Sequence, residues 1–429
     1  MDSVNLYSLL MVLTFLVGYV FITIESITEI NKAGVALIMA IICWSLQFAS
    51  QNTAITENLA AFNHHLADIS GIFFFILGAL AVVEIMSQHR GFEIITGFLN
   101  VRSKKKMLWI VTILSFLLSS ALDNLTTTVV MVTILRKLIN KGNDRLIIAG
   151  AVVVAANAGG AWTPIGDVTT TMLWIGGQVS SLGVIKSLLI PSLVCSFVAS
   201  WLISFNLTGD FDLDVKGKED KKIEPFGHII FFLGIGLVIF IPIFKMLTGL
   251  PPFMGVLFAL SVLWLITDVV HGDHHDRQHL RMPYVFTRID ITGVLFFMGI
   301  LLCINALYTA GLLSSLAQWF DRSVGNISAI ALFVGLASAV VDNVPLVAAT
   351  MGMYDLSIYP TDHTLWHMIA YSAGTGGSIL IVGSAAGVIL MGMEKINFFW
   401  YARKIGVPAL AGFIAGFVIY QIGTTVFAL

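Results

Sequence analysis

Residues 119–130 read SSALDNLTTTVV, and residues 337–349 read ASAVVDNVPLVAA. Each places an Asp-Asn pair, Asp123-Asn124 or Asp342-Asn343, at the junction of two short apolar arms. The pairs stand 219 residues apart, and nearly the same offset recurs along the chain. Gly159-Gly160 and Gly166 match Gly376-Gly377 and Gly383 at 217, Trp44 matches Trp264 at 220, and Phe75 and Gly78 match Phe296 and Gly299 at 221. One coincidence would mean little. A constant offset from end to end marks an internal duplication.

The surrounding composition says where such a duplicated chain lives. Its 429 residues are 57% hydrophobic and 11% charged, with a mean hydropathy of +0.92. Soluble domains carry about 25% charged residues, so this chain cannot present a water-solvated surface throughout. Apolar stretches of about 20 residues recur, each long enough to cross roughly 30 Å of hydrocarbon. The first, from Val4 to Ile24, lacks a basic leader and a small-residue cleavage site and reads as a retained span. No basic patch supports nucleic-acid binding. Cys43, Cys195 and Cys303 sit singly in apolar runs and read as packing residues.

The expected organisation is a first repeat over 1–206, a polar linker over 207–225 rich in Asp and Lys, and a second repeat over 226–429. Each repeat has three spans, an amphipathic segment (Gly91 to Val101 in the first), two arms meeting at the Asp-Asn pair, a long interrupted segment and a final span. Whether the arms form a re-entrant hairpin or two crossings, each half crosses an odd number of times, about five. Odd parity inverts the second half relative to the first. The fold class is therefore an all-α polytopic membrane protein, an inverted-repeat secondary transporter with two re-entrant helical hairpins and two broken transmembrane helices. Walking this topology puts 20 of the 23 Lys and Arg on one face, leaving Lys186, Lys245 and Arg322 on the other. Cytoplasmic loops hold the basic excess, so both termini are expected outside the cytoplasm, periplasmic for a bacterial inner membrane.

Acids inside spans are costly and default to functional candidates. Four qualify: Glu84, Asp123, Asp167 and Asp342. No Lys or Arg neighbours them in the same apolar stretch, and a desolvated carboxylate without a fixed partner is available to a proton or a cation. Asp123 and Asp342 sit at the two tips, each followed by an Asn whose amide oxygen is a second hard ligand. Thr126, Thr127 and Thr128 add hydroxyls beside the first tip, and Ser338 lies one turn before the second. Helix capping would explain one polar tip. It does not readily explain the same charged pair twice at midplane depth.

The interruptions supply a second set of ligands. Gly159, Gly160, Pro164 and Gly166 in GGAWTPIGD (159–167) break a helix and free backbone carbonyls, tolerated at depth only where they line a cavity. Asn157, Thr163, Asp167, Thr169 and Thr170 surround that break. The second break, GTGGSILIVGSAAG (374–387), offers Ser378 and Ser384 and no carboxylate. Asp167 aligns with Ser384, so the first half should hold the stronger cation site. The candidate Na⁺ ligands are Asp123, Asn124, Asp167, Asp342 and Asn343.

Other candidates are weaker. Glu84, near the basic-face end of its span, is either a step on a proton pathway or an acid satisfied by snorkelling or a loop partner. His271, His274, His275 and His279, with Asp273 and Asp276, read as a solvated loop, with pH sensing or adventitious metal binding as the alternatives. A membrane-embedded enzyme would need a nucleophile with its base, yet His228 and His367 near span ends are the only His inside spans. An anion carrier should aim half-helix N-termini or an Arg at the midplane, and no Arg lies near either break.

These motifs resemble a family. SSALDNLTTTVVM with AANAGGAWTPIGDVTTTMLW (155–174), then DNVPLVAA with a Gly-rich second break, is similar to the NhaD-type Na⁺/H⁺ antiporters of the ion transporter superfamily. The resemblance covers nearly the whole chain. It implies a homodimer with a scaffold region and a moving transport region, and exchange of Na⁺ or Li⁺ for H⁺ without a cofactor. It assigns ion handling to the positions of Asp123, Asn124, Asn157, Asp167, Thr169, Thr170, Ser338, Asp342 and Asn343. The superfamily's carboxylate carriers tend to have Ser-Asn-Thr at their tips; here both read Asp-Asn, with Leu125 or Val344 in place of that Thr. Two added negative charges would repel a di- or tricarboxylate, which favours cation exchange over Na⁺- or H⁺-coupled anion carriage.

Overall fold

The computed structural model describes residues 6–23, 28, 30–50, 54–99, 101–211, 223–272 and 274–427. The expected linker at 207–225 therefore lies largely outside the described residues. The first part of the chain forms α1 (Leu6–Thr23), α2 (Lys32–Ala49), α3 (Ile55–Gln88) and a 3-10 segment (Gly91–Leu99). It continues through α4 (Lys104–Leu122), α5 (Asn124–Leu138), α6 (Asn143–Ala161), α7 (Val168–Ile175) and α8 (Ser181–Ser204). The second part begins with α9 (Gly227–Thr248), α10 (Pro252–His271), a 3-10 turn (His275–Leu280) and α11 (Met282–Phe286). Then come α12 (Ile291–Thr309), α13 (Leu312–Ser323), α14 (Ile327–Ser338) and α15 (Asn343–Met353). The chain ends in α16 (Thr364–Gly376), α17 (Ala385–Glu394), α18 (Phe398–Tyr401), a π turn (Ala402–Gly406) and α19 (Val407–Phe427).

Every regular element among the described residues is helical, and nine helices are long and apolar enough to cross a membrane. The count rises to ten if the bent pair α13–α14 is one span. This is a multi-span membrane protein. Lipid cannot satisfy backbone polar groups, so a chain of this composition closes its hydrogen bonds within helices.

Packing partners recur in pairs. α4 lies against α6 as α14 lies against α16, α1 against α2 as α9 against α10, and α3 against α10 as α12 against α2. α5 meets α17 as α15 meets α7, and the last helices of the two parts, α8 and α19, pack against each other. The arms differ in length, however. α4 has 19 residues, about 28 Å at 1.5 Å per residue and enough to span, whereas α14 has 12 and covers about 18 Å.

Small residues decide what sits at the centre. Between lipid-solvated helices the attraction is close packing rather than water expulsion, and Ala and Gly allow close approach. α6 carries AGAVVVAANAGGA at its C-terminal end, and nearly all of its residues are buried, against about a quarter of those in the Phe- and Ile-rich α9. The buried cysteines behave as packing residues; Cys43 and Cys303 meet at 3.6 Å between sulfurs.

Candidate cation site

The interrupted segments become α6–α7, broken over 162–167, and α16–α17, broken over 377–384. Glycine is required there by contact. A Cβ on Gly159 would stand 2.2 Å from the Phe116 carbonyl oxygen of α4, and one on Gly376 2.1 Å from that of Gly335 in α14. Each arm thus lies directly on the backbone of a broken helix. Ser119 Oγ donates to Ala156 O at 2.6 Å, and Ser338 Oγ donates to Ala373 O at 2.8 Å.

A buried polar network joins the breaks. Asn124 Nδ2 donates to Asn157 Oδ1 and to Asp167 Oδ2, both at 2.9 Å. Asn157 Nδ2 donates across to Ser378 Oγ and Ser384 Oγ, both at 3.0 Å. Asp167 Oδ1 accepts from Thr169 N at 2.8 Å and Thr169 Oγ1 at 2.7 Å, capping α7. Asn157 is fully buried, and Asp167 and Ser384 are 1% exposed. Buried polar groups must be paired, so one misplaced member would orphan several others.

The tips differ from each other. Asp123 has φ +78°, an unusual backbone conformation for a residue with a side chain. Its Oδ1 accepts from Thr126 N and its Oδ2 from Thr126 Oγ1, both at 2.8 Å, so it caps α5. Asp342 has φ −50° and makes no side-chain cap to α15. Capping therefore accounts for part of the first tip and none of the second.

Asp123, Asn124, Asp167, Asp342 and Asn343 line one cavity of about 270 Å³. Its other lining residues include Phe75, Thr171, Phe296, Phe297, Lys32 and Asp290. Lys32 opens α2 and Asp290 is the N-cap of α12. Carboxylates, amide oxygens and hydroxyls are hard ligands of the kind that take small hard cations. The assembly also offers oxygens that can hold a proton instead.

Several candidates lie off this centre. Thr170 Oγ1 donates to Ala161 O at 3.4 Å and, like Ser338, serves the backbone. Glu84 accepts a hydrogen bond from Gln88 of its own helix and is not among the residues lining the cavity. The loop reading needs correction at His271, which is the fully buried last residue of α10 and faces His89, Nε2 to Nε2 at 3.0 Å. His274 is exposed, and Asp273 lies outside the described residues. Among the described residues no cluster of three or more His, Cys, Asp or Glu could hold a metal.

Sequence reading missed Lys32 and Asp290, each next to a short loop and each counted or passed over as loop charge. It also missed Glu394, 3% exposed, which accepts from Arg145 Nη2 at 2.7 Å and lies 3.7 Å from Arg136 Nε.

A family model described as a citrate transporter, CitMHS, matches residues 19–368. The chain is 48% identical over 421 residues to Sodium/proton antiporter 1 of Arabidopsis thaliana, covering 96% of this chain and 71% of that protein. It is 47% identical to Sodium/proton antiporter 2 of the same plant, covering 96% and 98%. To the Na⁺/H⁺ antiporter NhaD of Halomonas elongata it is 30% identical over 451 residues, covering 95% and 86%. These matches run through both Asp-Asn pairs and the first break, and the chain belongs to the citrate transporter family, among its NhaD-type members.

Proposed function

We propose that this chain exports Na⁺, and Li⁺, in exchange for H⁺, with Asp123, Asp167 and Asp342 taking the cation and the proton in competition. The observation that carries this reading is the convergence of Asp123, Asp167 and Asp342, with two Asn side chains and a fourth carboxylate at Asp290, on one cavity. Occupancy by one cation excludes another through charge and space, which is what coupled exchange requires. The recurring packing pairs and the constant sequence offset support two inverted halves. Under that plan the arms α4–α5 and α14–α15 enter as hairpins, and alternating access exposes the site to each face in turn. We also place the protein in a bacterial inner membrane with both termini periplasmic, as a homodimer; the basic-residue asymmetry supports the orientation.

A second reading, carriage of an anion, draws on the family's citrate description and on Lys32 in the cavity wall. Asp123, Asp167, Asp290 and Asp342 outnumber that single cation among the lining residues, so a citrate would meet net repulsion. The test is dissipation of a pH gradient in everted vesicles on adding NaCl, LiCl, KCl or sodium citrate. Na⁺ and Li⁺ should collapse the gradient with the wild type, and Asp123→Asn or Asp342→Asn should abolish or greatly weaken that response. A full Na⁺ response in both variants would remove the assignment. Citrate uptake without proton exchange would install the second reading.

A further inference from the structure

The residue that the function above leaves unused is Lys32. It is the first residue of α2 and lines the site cavity, where it is the single Lys or Arg among the described lining residues. It also lines a second cavity of about 290 Å³, bounded by Tyr19, Asp342, Ser384 and Val388. Only Lys32, Asp342 and Ala385 belong to both walls among the described residues. The ammonium stands 4.7 Å from the Phe296 ring centroid, and an aromatic face holds a cation in a partly dry setting. Helix stability does not account for a Lys here. A cation at a helix N-terminus opposes the helix dipole, and Asn31 already caps α2 by accepting from Ala33 N at 2.9 Å.

We propose that Lys32 is a tethered cation that competes with the transported cation for Asp342. With the site empty, its ammonium balances a cavity wall otherwise holding four aspartates. When a cation enters, the flexible four-carbon stem lets the ammonium move away from the carboxylates, and it returns to its place over Phe296 as the cation leaves. Lys32 thereby sets the affinity of the site and prevents it from holding its cargo too tightly. This rests on the Na⁺/H⁺ reading above and names a residue which that reading does not require.

The test measures binding of ²²Na⁺ to the purified full-length protein in detergent, which needs no transport. Lys32→Gln should bind Na⁺ about tenfold more tightly than the wild type, the scale expected when one competing unit charge is removed near a partly buried site. Lys32→Arg should restore wild-type affinity to within about threefold, because charge rather than length carries the effect. Lys32→Met, which keeps an apolar stem on Phe296, serves as a second neutral variant should Lys32→Gln fold poorly. In an Asp342→Asn background, Lys32→Gln should change affinity by less than about twofold. Unchanged or weaker binding in both neutral variants would overturn the proposal. So would equal tightening in the Asp342→Asn background, which would show a general field effect. If the wild type bound no Na⁺, the sodium reading itself would fall, and this proposal with it.

Discussion

Asp167→Asn separates the charge of the central acid from its structural duties. Both bonds that start α7, from Thr169 N and Thr169 Oγ1, go to Oδ1, and an asparagine keeps that oxygen. The other oxygen accepts from Asn124 Nδ2 at 2.9 Å; in the variant it becomes an NH₂ facing an NH₂. A hydrogen bond to a charged group contributes about 1.5–3 kcal/mol. A bound cation also loses one carboxylate, an attraction of about 4 kcal/mol at 4 Å and an effective dielectric of roughly 20. Part of this is offset by removing the cost of burying a charge, so a net loss of about 3 kcal/mol, or roughly 100-fold, is expected in Na⁺ half-saturation. The assay is initial proton flux against Na⁺ concentration in proteoliposomes containing a pH dye. Asp167→Ser, which copies the residue at 384, should lose the same affinity and also weaken the start of α7. Half-saturation within about threefold of the wild type, at an undiminished maximal rate, would refute this assignment of Asp167.

Three further outcomes follow from the packing. Gly159→Ala and Gly376→Ala should each lower the melting temperature through overpacking of about 1–3 kcal/mol, because the new methyl meets a backbone oxygen. Gly34→Ala, with nothing within 4 Å, should leave it unchanged or raise it, and a drop there as large as the others would refute the contact argument. Glu394→Gln should destabilise by about 3 kcal/mol because it strands buried Arg145, while the double variant Arg145→Met with Glu394→Met should cost less; thermal melts of these two variants against the wild type decide this. Burial holds the His89 imidazole below its ordinary value of 6.5. The unfolded chain then binds a proton at a higher pH than the folded one, so this stability is complete above about pH 6.5 and is lost as the pH falls below it. The melting temperature should therefore drop between about pH 7.5 and 5.5, and His89→Gln should shrink that drop.

Most of the fold can be read from the primary structure because membrane solvation writes long, regular signals. The spans, the helix breaks at Gly159–Asp167 and Gly376–Ser384 and the two tips all emerge from apolar runs and glycine contacts that recur at one offset. The candidate site is legible to the same extent: Asn124, Asn157, Asp167, Ser378 and Ser384, chosen for their chemistry and position, do meet in one network. What escapes is pairing across long separations. Lys32 and Asp290 lie 258 residues apart and share a wall only because α2 packs on α12. His89 and His271 meet only because α3 packs on α10. The span length of α4 was also hidden, since hydropathy marks an apolar arm without saying how far a polar Lys104-Lys105-Lys106 start can extend it.

The unlike backbones of the two tips bear on how this protein could be re-engineered. Asp123 cannot rotate without surrendering both Thr126 bonds that cap α5, so under the proposed function a substitution there would change local folding together with ion handling. Asp342 carries no capping duty toward α15. A mutational library aimed at ion preference should therefore keep an acid at position 342 and vary its length, Asp against Glu, where the change does not rebuild the start of a helix.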